Sequence, residues 1–119
     1  MKNNSREMML IRKKIDQVDD KLLPLMVKRS KLVEKALSLK KRRTEIVDKK
    51  RIDEICEKIA KKSLELGGNS KLLKSIWVSI IQNFIDYEKQ EFKKIWFYKF
   101  KVSLFSNVFN GSRTDERLS

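Results

Sequence analysis

Cations stand where a helical, core-facing stripe calls for apolar side chains. Apolar residues recur at Ile11, Ile15, Val18, Leu22, Leu25, Leu32 and Ala36, in alternating steps of three and four apart from one gap. Arg29 fills the gap, and the next step along the same line lands on Lys40. Arg12 lies beside the stripe near its other end. A cation on a buried face is costly unless an anion meets it. Glu88 repeats the pattern with the opposite sign. It interrupts the later run Leu73, Trp77, Ile80, Ile81, Phe84, Phe92 and Ile95. Chance supplies some of this, because Lys and Arg make up 29 of 119 residues and long cationic side chains snorkel to water. Two cations on one line and an acid on another point instead to a site for an anionic molecule.

Spacing limits how such a site is built. Arg12 and Arg29 are about 26 Å apart along one helix, so they cannot grip one small molecule together. Two copies of the helix running antiparallel would bring Arg12 of one copy towards Arg29 of the other. A ligand with two carboxylates would then be held across subunits, at two equivalent sites per dimer. Arg29 and Lys40 are about 16 Å apart on one face, near enough for two long side chains to lean towards one ligand.

Three helices must carry these groups. The first is expected over residues 7–41, with Ser5 as a weak N-cap and Pro24 bending the helix without breaking it. KKRRTEIV, residues 40–47, is a short link. Asp48 is a good N-cap for a second helix, DKKRIDEICEKIAKKSLEL. Its apolar face is Ile52, Ile55, Cys56, Ile59 and Ser63 to Leu66. Gly67 and Gly68 end it, and Asn69 or Ser70 caps the third helix, which runs to at least Lys94. Residues 1–94 therefore read as one helical domain. Residues 95–109, IWFYKFKVSLFSNVF, are aromatic and basic. They are compatible with a continued helix, a packed arm or a membrane-surface segment. The closing NGSRTDERLS reads as an unstructured tail.

Composition narrows the chemistry. Gly is 3 and Pro is 1, which suits an all-α protein with few turns. Three helices of this size enclose only a small core, so a homodimer is expected. There is no His and one Cys. That removes the usual general base, every Cys–His or Ser–His arrangement, an intrachain disulfide and any Cys-based metal cluster. Any chemistry must run on carboxylates, cations and positioning; that it needs no cofactor and no metal is what the family resemblance given below implies. The net charge of +13 attracts anionic partners. MKNNSRE leads directly into a charged helix, and no apolar run approaches a membrane span. A cytoplasmic location is the expectation.

The first helix resembles that of the AroQ-type, all-helical chorismate mutases. The matching residues are Leu10-Ile11-Arg12-Lys13-Lys14-Ile15-Asp16-Gln17-Val18-Asp19, then Leu22-Leu23, Arg29 and Lys40. Asp48 and Arg51 follow at the start of the second helix, and Ile80-Ile81 in the third. The resemblance covers roughly residues 7–94. It implies a three-helix chorismate mutase type II fold as an intertwined homodimer, with chorismate as the dianionic substrate. It also implies a Claisen rearrangement to prephenate in aromatic amino acid biosynthesis. Arg12 of the partner subunit and Arg29 would bind the two carboxylates. Lys40 would meet the ether oxygen and a carboxylate, and Asp48 and Arg51 would line the site near the ring hydroxyl.

Three positions depart from the family pattern. Ile52 stands where Glu commonly accepts from the ring hydroxyl. Phe84 stands where Ser is frequent. Glu88 stands where Gln donates to the ether oxygen. A carboxylate cannot donate, so Glu88 would have to be protonated in that role, and activity would rise at acidic pH. The expected catalytic residues are Arg29, Lys40 and Glu88, with Arg12, Asp48, Arg51, Ile52 and Phe84 completing the substrate site. Isochorismate-pyruvate lyases share the fold and the cation pattern and form the related alternative. A non-catalytic basic helical binding protein is the alternative from another class. Trp77, Trp96 and Tyr98 could stack there on bases. However, the cations are spread along all helices without a reading motif, so nucleic acid is not the expected partner.

Overall fold

A computed structural model describes the backbone of residues 2–118 and the side chains of residues 4–104. It contains three α-helices, α1 (Lys2–Ser38), α2 (Lys49–Glu65) and α3 (Ser70–Leu118), with a short 3-10 turn at Arg43–Glu45 between α1 and α2. Among the described residues there is no strand. The chain divides into two units, Met1–Leu39 and Lys40–Ser119.

The α1 unit is one helix. It starts at Lys2, ahead of Ser5, so Ser5 is not its cap. A strong 3.6-residue period lets a helix propagate outward once nucleated, without a side-chain cap. Pro24 lies inside it and does not end it. The predicted stripe is exposed: Ile15 keeps 52%, Val18 60% and Leu32 59% of its surface. The less exposed positions are Met26, Arg29, Ser30, Val33 and Leu37. Arg29 lies on the stripe line itself, and the other four lie on the face adjoining it. An alternating three–four repeat is the seam by which one helix packs along another. On α1 that seam is unfilled within the chain.

The second unit is a helical hairpin in which α2 packs on α3. Asp48 caps α2, its Oδ1 accepting from the Arg51 backbone N–H at 3.1 Å. Gly67 ends the helix with φ +77°, where a side chain would meet the left-handed penalty. Gly68 N–H then donates to the Ser63 carbonyl at 2.7 Å. Asn69 caps α3, its Oδ1 accepting from Leu72 N–H at 3.0 Å. Cys56 on α2 and Ile81, Ile85 and Phe92 on α3 are buried, as is Ile46 in the connection. Ser63 is buried too and satisfies its hydroxyl by donating to the Ile59 carbonyl. The seam predicted on α3 is thus the packed one, and that on α2 holds from Ile52 to Ser63, whereas Leu64 and Leu66, expected on the same face, are exposed.

Residues 95–109 continue α3, which settles one of the open alternatives. The helix bounds also take in residues 110–118, read from composition as unstructured. Extending an existing helix costs far less than starting one.

Candidate active site

Lys40 and Glu88 meet. Lys40 follows α1, and its Nζ donates to Glu88 Oε1 at 2.7 Å. Glu88 sits on the inward seam of α3, between Phe84 and Ile85 on one turn and Phe92 on the next. It retains only 6% of its surface, whereas the Lys40 side chain keeps 23%. The carboxylate is therefore removed from water while its cation reaches outward. Forming such a pair costs desolvation that the Coulombic gain roughly offsets. A well-packed apolar pair would stabilise the hairpin as well, so stability alone does not explain these two groups.

The remaining groups of this unit are Asp48, Arg51 and Ile52 at the start of α2 and Phe84 on α3. Asp48 already spends one oxygen on the α2 cap. Arg51 is exposed and Ile52 half-buried. Phe84 is half-buried one turn before Glu88. Arg12 and Arg29 belong to the α1 unit, where Arg12 is exposed and Arg29 half-buried. They are about 26 Å apart along α1, so this helix does not bring them to one point. Among the described residues no group of His, Cys, Asp and Glu could hold a metal ion. No described helix is long and apolar enough to cross a membrane.

Two residues that position Lys40 are not evident from residue types alone. Glu45 Oε2 accepts from the backbone N–H groups of Lys41 at 2.6 Å and Arg42 at 3.1 Å. This ties down the backbone directly after Lys40. The Arg42 N–H, then the Lys41 N–H, hold the Glu45 carboxyl below its ordinary range. Ile46 is buried just beyond and anchors the connection to the hairpin. The sequence signal was an acid three residues after Arg42, the spacing by which a turn caps its own backbone. Inside a run of charges that spacing is easily overlooked.

Chemically, the hairpin unit offers an ammonium and a buried carboxyl in contact, walled by aromatic and aliphatic side chains. An ammonium is a group that can bind an anion, and a carboxyl can donate only as the neutral acid. A family model described as chorismate mutase type II matches residues 11–89. Comparison with curated proteins and with solved structures finds no match.

Proposed function

Because the chain belongs to the chorismate mutase type II family, we propose that it converts chorismate to prephenate. The observation that carries this reading is the Lys40–Glu88 pair inside the matched region. It offers a cation and a carboxyl in contact, the two kinds of group that this reading calls for. The rearrangement breaks an ether C–O bond and forms a C–C bond within one molecule. It needs no nucleophile and no net proton transfer. Catalysis then comes from holding a compact conformer and stabilising the charge that grows on the ether oxygen.

Each residue has a role in this reading. Arg29 and Arg12 of the partner subunit bind the two carboxylates. Lys40 donates to the ether oxygen and a carboxylate. Glu88, protonated, donates to the same oxygen. Asp48 and Arg51 line the ring-hydroxyl side, with Ile52 and Phe84 as walls. The exposed heptad seam of α1 supports the homodimer. A second copy laid antiparallel would cover Ile11, Ile15, Val18, Leu22, Leu25 and Leu32 while delivering Arg12.

A carboxylate cannot donate to the ether oxygen and a neutral acid can, so this role for Glu88 predicts faster turnover in acid. The test is loss of chorismate absorbance with purified protein at about pH 5 and about pH 7.5. Prephenate formed faster at the lower pH is expected. No turnover at either pH, followed by pyruvate release from isochorismate, would replace the mutase with the lyase, a reading that Ile52 allows.

A further inference from the structure

A second cavity opens beyond the Lys40–Glu88 pair. Its volume is about 520 Å³, within the ordinary range of small-molecule sites. Four cations line it: Lys41, Arg42 and Arg43 from the connection, and Lys93 from α3. Phe92, Trp96 and Phe97 supply the rest of the lining, and among the described residues no carboxylate lines it. Four of these seven residues lie on α3 past residue 89, where the family match ends.

The cavity is organised on both sides. Glu45 holds the backbone N–H groups of Lys41 and Arg42, which fixes the turn that carries the cations. None of the four makes an ion pair among the described residues. Phe92 is buried and forms the floor. Trp96 stacks on Phe100, with ring centroids 5.5 Å apart and planes inclined by 8°. The indole is thus braced from behind by a neighbour one turn on, although it remains 57% exposed. Lys101 Nζ lies 4.9 Å from the centre of the Phe97 ring, so that ring also has a cationic neighbour.

We propose that this cavity binds a flat-ringed organic anion, the ring stacking on Trp96 and Phe97 and the acidic group meeting Arg42, Arg43 and Lys93. Aromatic walls favour a planar body. Four cations, with the Glu45 carboxylate beside Lys41 and Arg42, leave a net positive lining that favours a negative charge, and Arg suits a carboxylate or phosphate by its paired donors.

Isothermal calorimetry on the full chain tests the proposal. 2-Naphthoate and adenosine 5′-monophosphate are the ring-bearing anions, one a carboxylate and one a phosphate. Inorganic phosphate and 2-naphthalenemethanol are the ring-free and the neutral controls. Saturable binding of either ring-bearing anion, with both controls at least about tenfold weaker, is expected. The tighter of the two identifies the acidic group. Trp96→Leu should weaken it about tenfold through lost stacking, and Arg42→Gln with Arg43→Gln by a similar factor. Circular dichroism confirms that each variant is folded, and Lys93→Gln replaces any that is not. Absence of binding overturns the site. So does a control that binds as tightly as the ring-bearing anions, or binding that survives Trp96→Leu. These residues lie outside the proposed mutase machinery, so the result is independent of chorismate turnover.

Discussion

At residue scale, the question is what a buried carboxyl does beside a single ammonium. Glu88→Gln keeps an acceptor for Lys40 and adds a permanent N–H donor. Turnover at neutral pH should rise, and its acid dependence should flatten, which a pH–rate profile checks directly. An unchanged profile would remove Glu88 from the ether oxygen. Lys40→Ala acts differently, because it leaves the carboxylate buried without its cation. Urea unfolding near neutral pH should show a loss of about 1–3 kcal/mol. Both groups were legible beforehand as charges on apolar seams. Their contact was not, because Lys40 and Glu88 lie 48 positions apart and no local period relates them. Asp48 was legible twice, as a cap and as a site group, and the observed bond uses it as the cap.

At the scale of elements, turn and cap chemistry decides how the hairpin is held. A Cβ on Gly67 would meet nothing within 4 Å, so Gly67→Ala isolates the cost of the positive φ. A destabilisation of about 1–2 kcal/mol is expected in thermal or urea unfolding. Gly68→Ala differs, since its Cβ would come within 3.0 Å of Leu73 Cδ1 and 3.3 Å of the Ser63 carbonyl oxygen. The connection before α2 gives a pH prediction. Backbone N–H groups hold the Glu45 carboxyl below its ordinary range, so the unfolded chain binds the proton more readily. The contribution of Glu45 to folding is complete above the unfolded-state value and is lost as pH falls through the folded-state value. An NMR titration of the Glu45 carboxyl should give a midpoint below that of an unfolded peptide. A midpoint at the peptide value would mean the turn is not held by this side chain. The pairing of Glu45 with the backbone escaped sequence reasoning because acids in charge runs more often face water.

At the scale of the whole molecule, the exposed seam of α1 is the outstanding physical fact. Val18, Leu22, Leu25 and Leu32 keep half or more of their surface in water. That is costly for residues at this repeat unless another helix covers them. Leu22→Lys would place a charge in the middle of the proposed dimer seam. Sedimentation should show the native chain as a dimer and the variant shifted to monomer. Turnover should fall with it, since Arg12 could no longer reach a partner's site. A native monomer that still turns over chorismate would defeat the shared-site reading.

What the sequence determined by itself is local and periodic. Three helices, their order, the Asp48 and Asn69 caps, the glycine stop at residues 67–68 and the inward seams of α2 and α3 all follow from spacing and turn chemistry within a few residues. The family was legible for the same reason, since Arg12, Arg29 and Lys40 keep their intervals along one helix. The tertiary structure alone decided the contacts between distant positions: Lys40 with Glu88, the α2–α3 hairpin, and the cavity that joins residues 41–43 to residues 92–97. The sequence marks the heptad stripe of α1 as one that needs a partner, but periodicity does not say whether that partner lies within the chain. The stripe residues of α1 are exposed, while α2 and α3 bury their seams against each other.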